Sequence, residues 1–536
     1  MRDPSCTLPK TFMNPRSSGL LLHPTSLPGK WGIGDLGRQA FDFVDFLERA
    51  GQRIWQLLPL GPTGLGNSPY QCLSSFAGNP LLISPDELLE QGLLREEEIG
   101  KAPSVDQLTE GRVNYAAVER FKRWCLDRAY DRFKNDPDHP LRLQFATFAT
   151  AEEEWLEDFA LYAALKDHHQ GAAWDRWERG AVLREPAALQ RWKQQLRDQV
   201  EAHKFFQFLF FSQWKKLKAY ANKKGIRIVG DMPIFVAYDG ADVWSHPDLF
   251  FLDEDRRPTF LAGVPPDYFS QTGQLWGNPL FRWDRMAQEG YRWWINRVKT
   301  TLNLVDVVRL DHFRGFEAYW EVPADEKTAK NGRWVKGPGE KLLLALKDAV
   351  GQLPFIAEDL GVITPEVEEL RDQFGLPGMK VLQFAFSDSA ANPYLPHNHV
   401  RNCVVYTGTH DNDTTVGWFE GLNALEREVI SCYLGHPFQN PCRDLVRLAF
   451  SSVADTVIVP VQDLLCLGPD ARMNIPGVAS GNWEWRLKPG MLNDQLAAEL
   501  MELTEFFGRG KDSKVPLRKA LTAKASQVAH LPRPRD

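Results

Sequence analysis

Eight short apolar runs, each passing into polar or charged residues, constrain this chain more than any other feature of it. They are "GLLLHPT" (19–25), "RIWQLLPL" (53–60), "IRIVGDMPIFV" (226–236), "VDVVRLDHF" (305–313), "PFIAEDLG" (354–361), "MKVLQFAF" (379–386), "CVVYTGTHD" (403–411) and "TVIVPVQDLL" (456–465). Near-continuous apolar strands have both faces covered, which is the condition of a parallel sheet flanked by helices. Helix-patterned segments stand between most of the runs, among them "RQAFDFVDFLERAG" (38–51), "GEKLLLALKDAVG" (339–351) and "TPEVEELRDQFG" (364–375). In the last of these Thr364 occupies the N-cap position, Pro365 opens the helix, Glu366 lies in its first turn and Gly375 stops it. Eight parallel strands alternating with helices predict an α/β chain folded as a (β/α)8 TIM barrel, without a separate C-terminal β domain. Such a barrel works at the C-terminal ends of its strands.

The spacing of the runs is uneven. The long interval after the second run is charged and helical over 86–222 ("REEEIG", "AEEEWLEDFALYAALK", "WKQQLRDQV"), and is expected to form a helical insertion subdomain. A second insertion, 237–304, carries "LAGVPPDYFSQTGQLWGNPLF" (261–281), dense in Pro, Gly and aromatic residues and without helical period. Insertions after barrel strands belong to the catalytic face, so 261–281 reads as a lid over the site. The whole chain, 1–536, is expected to be one catalytic barrel bearing these insertions.

Composition excludes some partners. A net charge of −7 with no basic stripe argues against nucleic-acid binding, which needs cations to neutralise phosphates. The seven cysteines (6, 72, 125, 403, 432, 442 and 466) are scattered and form no C-x-x-C pair, which favours reduced thiols in a cytosol-like compartment. The N-terminus has no apolar core of signal-peptide length, and no stretch reaches the roughly 18 to 20 apolar residues of a membrane helix. The expectation is a soluble, cytoplasmic protein without a membrane partner. The 18 tryptophans suit either a packed core or rings stacked on sugars or bases along a groove.

The strand ends carry the chemistry. The fourth run ends in Arg309 and Asp311, the fifth in Glu358 and Asp359, the seventh in His410 and Asp411, and the third contains Asp231. An unpaired buried charge costs several kcal/mol, so each of these either packs an ion pair or performs chemistry. Alternate strand residues share a face, which aims Arg309 and Asp311 together and Glu358 and Asp359 apart. Two carboxylates flanking one bond, with aromatic rings nearby, are the equipment of glycoside chemistry. Beside Arg309, Asp311 stays ionised as a nucleophile must. Glu358 follows the apolar "PFIA", where burial can raise its pKa for acid catalysis. Neither a metal nor an organic cofactor is required; His410, Asp411 and Asp413 mimic a metal cluster, but no other histidine lies near them in sequence.

The motifs "SGLLLHPTSLPGKWGIGDLG", "NSPYQCLSSFAGNPLLIS", "GDMPIFVAYDGADVW", "PPDYFSQTGQLWGNPLFRW", "VRLDHFRGF", "IAEDLG", "TGTHDNDT", "ARMNIPG" and "NWEWR" run in order from about residue 17 to 486. This series resembles that of the 4-α-glucanotransferases, also called amylomaltases or disproportionating enzymes, of glycoside hydrolase family 77 in the α-amylase clan. The resemblance implies a retaining enzyme that moves 4-α-glucanosyl units between α-1,4-glucans and maltooligosaccharides, with glucose as an acceptor. It implies Asp311 as nucleophile, Glu358 as acid/base and Asp411, preceded by His410, as the third carboxylate that holds sugar hydroxyls. Arg309 resembles the arginine that orients the nucleophile, and Tyr70 the tyrosine that stacks on the sugar. Asp231 reads as a support for the site, and Asn474 as a group that reaches a substrate hydroxyl or caps a loop. Tyr268, Phe269 and Trp276 in the lid offer apolar faces to acceptor rings. A hydrolase of the same clan and a non-catalytic glucan-binding protein remain the alternatives. In a plant or alga the same family implies the plastid stroma.

Overall fold

The computed structural model describes residues 16–266 and 270–510. Its strands are, in chain order, β1 (Ser17–Leu21), β2 (Ile54–Gln56), β3 (Arg227–Pro233), β4 (Phe260–Val264), β5 (Gln274–Pro279) and β6 (Val307–Asp311). They continue with β7 (Ala318–Pro323), β8 (Arg333–Lys336), β9 (Phe355–Ala357), β10 (Gly378–Val381), β11 (Cys403–Tyr406) and β12 (Thr456–Pro460).

Each of the eight apolar runs contains or overlaps one barrel strand. Their order in the sheet is β10-β11-β12-β1-β2-β3-β6-β9, every pair parallel. The remaining seam, between β9 and β10, is bridged where the Ala357 N–H donates to the Pro377 carbonyl at 2.9 Å. The Met379 N–H adds a bond to the Asp359 carboxylate at 2.7 Å. The eight strands thus make a nearly closed TIM barrel. Its residues are short, branched and apolar because both faces are covered: β1 and β12 are buried along their whole length. At Gly19 the β1 and β2 backbones approach so closely that an added Cβ would sit 2.3 Å from the Ile54 carbonyl oxygen, which only glycine permits.

Helices clothe the barrel as the patterning requires. Arg38–Arg49 buries Ala40, Phe43, Val44, Phe46 and Leu47, the spacing of one helical face. Pro365–Gln373 follows Thr364 at the N-cap position, although the threonine side chain makes no capping hydrogen bond there. The interval after β2 is helical, but its last helix, Arg197–Lys223, packs on the barrel wall. Tyr220 lies 5.2 Å from Phe41 and donates to Asp45 at 2.6 Å, and the Trp214 indole donates to the Leu304 carbonyl at 2.8 Å. That helix occupies the place a barrel needs filled between β2 and β3.

The insertion after β3 differs from the irregular lid read from the sequence. β4 and β5 are strands, and they join β7 and β8, which come from the connection after β6, in an antiparallel sheet ordered β5-β4-β7-β8. Tyr268 and Phe269 of the lid lie outside the described residues. Cysteine usage also departs from expectation: Cys442 and Cys466 are joined as a disulfide, with Cα atoms 5.6 Å apart, while Cys72, Cys125, Cys403 and Cys432 are free. Positions 24 residues apart carry no sign of pairing until the helix Pro441–Ser451 and the turn after β12 are brought together. After β12 the described chain holds loops and helices, ending with the helix Asp494–Phe506. No helix of the described residues is long and apolar enough to cross a membrane.

At the opposite end from the strand termini, Arg509 closes the barrel. It is fully buried and donates to the carbonyls of Phe450, Ala454, Ser17 and Ser452 at 2.9 to 3.3 Å. No carboxylate takes part in these bonds, so the carbonyls themselves solvate the cation. Arg509→Ala would strand several of them without partners and is expected to cost about 3 kcal/mol or more. Thermal unfolding checks this, and Arg509→Lys, a point charge that cannot fork, should recover only part of the loss.

Candidate active site

The site is built where β3, β6, β9 and β11 end. Arg309 and Asp311 point the same way from β6, and the Arg309 guanidinium donates to Asp311 Oδ1 at 2.8 Å. The same nitrogen donates to both oxygens of Asp231, at 2.8 and 2.7 Å, across the β3–β6 register that pairs these two residues. Burial would lower the guanidinium pKa, but Asp231 and Asp311 outweigh it and push it up, so Arg309 stays charged. Asp231 is fully shielded, whereas 28% of the Asp311 side chain remains exposed to the cleft. The arginine therefore serves both a structural carboxylate below and a solvent-facing carboxylate above.

Glu358 follows the last residue of β9 and is half-buried. Its Oε2 accepts from the His312 backbone N–H at 2.7 Å and its Oε1 from that of Leu360 at 2.9 Å. His312 directly follows Asp311, so this bond holds the two carboxylates side by side. His312 has φ of 54°, a left-handed conformation uncommon outside glycine and asparagine, and this turn of the chain accompanies the aim of its N–H at Glu358. Burial pushes Glu358 up to about 7; Arg309 and the two N–H bonds oppose the rise and Asp311 adds to it. Asp359 points away, as strand alternation requires, and pairs with Arg371 at 2.5 Å in the β9–β10 seam.

Opposite stands Asp411, whose side chain is 48% exposed. Burial of its surroundings would raise its pKa, but the adjacent His410, 3.4 Å away, and the Asn474 amide at 2.6 Å outweigh this and hold it low. Arg472 fixes the Asp411 main chain by donating to its carbonyl at 2.7 Å. Tyr70 stacks on His410 with ring centroids 5.1 Å apart, and its hydroxyl donates to Asp231 at 2.7 Å. Trp276, on β5, meets His312 edge-on at 5.0 Å, which puts the described part of the lid against the residue beside Asp311.

The structure thus brings together Asp311, Glu358, Asp411, Arg309, Asp231, Tyr70, His410 and Asn474, with Trp276 at the margin. Two residues that gained no role in the sequence reading also belong here. Arg472 holds Asp411, and Trp483 lies 6.0 Å from both the Tyr70 and His410 rings. Both fall in motifs already noticed, "ARMNIPG" and "NWEWR", but nothing in a linear string says which cleft such a loop reaches. Among the described residues no group of His, Cys, Asp and Glu could hold a metal ion.

A TIM barrel whose strand ends set an ionised carboxylate beside a proton-carrying one, under a wall of aromatic rings, belongs to the class of enzymes that act on glycosidic bonds. The comparisons narrow the class. The chain matches the 4-alpha-glucanotransferase family over residues 22–493. It is 54% identical to the 4-alpha-glucanotransferase of Thermus thermophilus, over 92% of this chain and 98% of that one. It is 52% identical to that of Synechocystis, over 93% and 99%. The chloroplastic/amyloplastic 4-alpha-glucanotransferase of Solanum tuberosum is 46% identical over 93% of this chain and 87% of its own. Among solved structures, the amylomaltase of Streptococcus agalactiae in complex with acarbose superposes with a TM-score of 0.88 at 39% identity, covering 93% of this chain and all of that one. This chain belongs to the 4-alpha-glucanotransferase family.

Proposed function

We propose that this chain transfers segments of α-1,4-glucans to glucose or to another α-1,4-glucan through a covalent glycosyl-enzyme intermediate. Asp311 attacks the anomeric carbon, Glu358 protonates the departing oxygen and later takes the proton from the acceptor hydroxyl, and Asp411 holds sugar hydroxyls as positive charge develops on the ring. The observation that carries this reading is the contrast between the two central carboxylates, held side by side through His312: Asp311 bonded to Arg309, and Glu358 pushed up to about 7. Tyr70 offers its face to the sugar at the cleavage point. Asp231 keeps Arg309 and Tyr70 in place and does not touch substrate. No cofactor is invoked. The reading treats the chain as one catalytic barrel, with helical and sheet-bearing subdomains inserted after β2 and β3. It places the protein in the cytoplasm of a bacterium, or in the plastid stroma of a plant or alga. Bacterial relatives and the plastid name of the potato relative support that placement.

A hydrolase and a non-catalytic glucan binder are not favoured, because the curated relatives are transferases by name and a binder has no need of a proton donor. Transfer has its own physical demand. Water at about 55 M competes with acceptor at millimolar levels, so acceptor binding and water exclusion must together supply a factor on the order of 10⁴, or about 5 to 6 kcal/mol. The lid is assigned that task, with Trp276 against His312 as its described foothold and Tyr268 and Phe269 ahead of it. Incubation with maltotriose should give a ladder of longer and shorter maltooligosaccharides with few new reducing ends. Trp276→Ser should lower ladder formation and raise the hydrolytic share by about 5-fold. A wild-type protein that mainly releases reducing ends would exclude the transferase reading, and an equal fall in both activities would exclude the lid's role.

A further inference from the structure

We propose that residues 109–115, in the region inserted after β2, brace the loop that holds Asp411, and that Tyr115 and Trp483 are positioning residues for the transfer reaction. The proposal rests on the reading of Asp311, Glu358 and Asp411 above and deepens it.

The loop spanning 471–486 follows β12 and grips Asp411 at two points. Arg472 donates to its main-chain carbonyl at 2.7 Å and Asn474 to its carboxylate at 2.6 Å. The far end of the loop folds back between them, since the Trp483 N–H donates to the Met473 carbonyl at 2.7 Å. Asn482 closes the turn by accepting from the Ile475 N–H at 3.0 Å and donating to the Val478 carbonyl at 2.8 Å. The Trp483 ring then backs both members of the Tyr70–His410 stack at 6.0 Å. One loop therefore governs the third carboxylate, the histidine beside it and the stacking tyrosine.

Its shape needs outside support. Trp483 has φ of 65°, a left-handed conformation that a bulky side chain rarely adopts unless its surroundings impose it. The support comes from the region after β2. The Tyr115 hydroxyl donates to the Trp483 carbonyl at 2.9 Å, the Val113 N–H to that of Glu484 at 2.7 Å, and the Arg486 N–H to that of Gly111 at 2.9 Å. Arg112 and Trp485 form an antiparallel bridge between the two segments. The brace has its own footing, a small apolar cluster of Ile33, Val113, Tyr115 and Val118 separate from the main core. A continuous line of contacts runs from this cluster through Tyr115 and Trp483 to His410 and Asp411, more than 290 positions away from Tyr115 in the chain.

The test uses the full-length protein on maltotriose, with kcat and the unfolding midpoint measured for each variant. Trp483→Ala is expected to lower kcat about 100-fold, Trp483→Phe to recover to within about 5-fold of wild type, and Tyr115→Phe to lower kcat about 5-fold. In an Asp411→Asn background, Trp483→Ala should cost less than about 3-fold more, because residues that act as a unit are not additive. A structural role alone would give multiplicative losses that track the midpoint. Multiplicative losses in the double variant, a folded Trp483→Ala that keeps more than about half of kcat, or an unaffected Tyr115→Phe would overturn the proposal. Should Trp483→Ala not fold, Tyr115→Phe alone and combined with Asp411→Asn carries the same comparison. A wild-type protein that builds no ladder would overturn the functional reading instead, so the two failures are distinguishable.

Discussion

Asp311→Asn is expected to abolish turnover while the barrel remains folded. The side chain lies at the open end of β6 and is partly exposed, so an amide fits without a new buried charge. Arg309 keeps its two bonds to Asp231 and is not left unpaired. What the amide cannot do is form the glycosyl ester on which both half-reactions depend. The loss should therefore appear in kcat, by at least about 10⁴-fold, with little change in binding of maltooligosaccharides. A variant that keeps more than about a hundredth of the wild-type rate in a site of this kind would remove Asp311 from the nucleophile's role.

Glu358→Gln should lose activity on maltooligosaccharides yet retain the first step on α-glucosyl fluoride. Fluoride departs without a proton, whereas a sugar oxygen does not. Glutamine keeps a carbonyl oxygen for one of the two backbone N–H groups that now hold Glu358, so its position is largely preserved. Equal losses on both donors would contradict the assignment. The pH dependence has a definite sign. Glu358 must be protonated for bond cleavage and its pKa is pushed up to about 7, so kcat/KM on maltooligosaccharides should hold below that value and fall as pH rises through it. The two coupled carboxylates titrate as a pair, so the limb belongs to both. With the fluoride donor the alkaline fall should vanish. Asp359→Asn is the control: it weakens the Arg371 pair and the β9–β10 seam, so it should cost about 1 to 3 kcal/mol of stability while kcat stays within about 10-fold of wild type.

The barrel was legible in the sequence because its determinants are local. A strand covered on both faces must be apolar along its length, and eight such runs ending in charge announce eight strands with a working face at their ends. Period-two alternation likewise separates Glu358 from Asp359 and aligns Arg309 with Asp311 before any coordinate is known. The antiparallel sheet was not legible. β5 contains glycine and proline and is half-exposed, so it has no clear period, and its sheet takes two strands from each of two connections separated by β6. Nor did the linear spacing show that Arg197–Lys223 serves the barrel, or that Cys442 meets Cys466. The surroundings of the carboxylates were decided only in three dimensions. Glu358 owes its raised pKa to burial beside Asp311, Asp411 owes its low one to His410 and an asparagine 63 positions away, and Trp483 reaches Tyr70 across the cleft. Local sequence sets which residues a strand end can present; the field, the hydrogen bonds and the dryness around them come from segments distant in the chain, and those exist only once the barrel has closed.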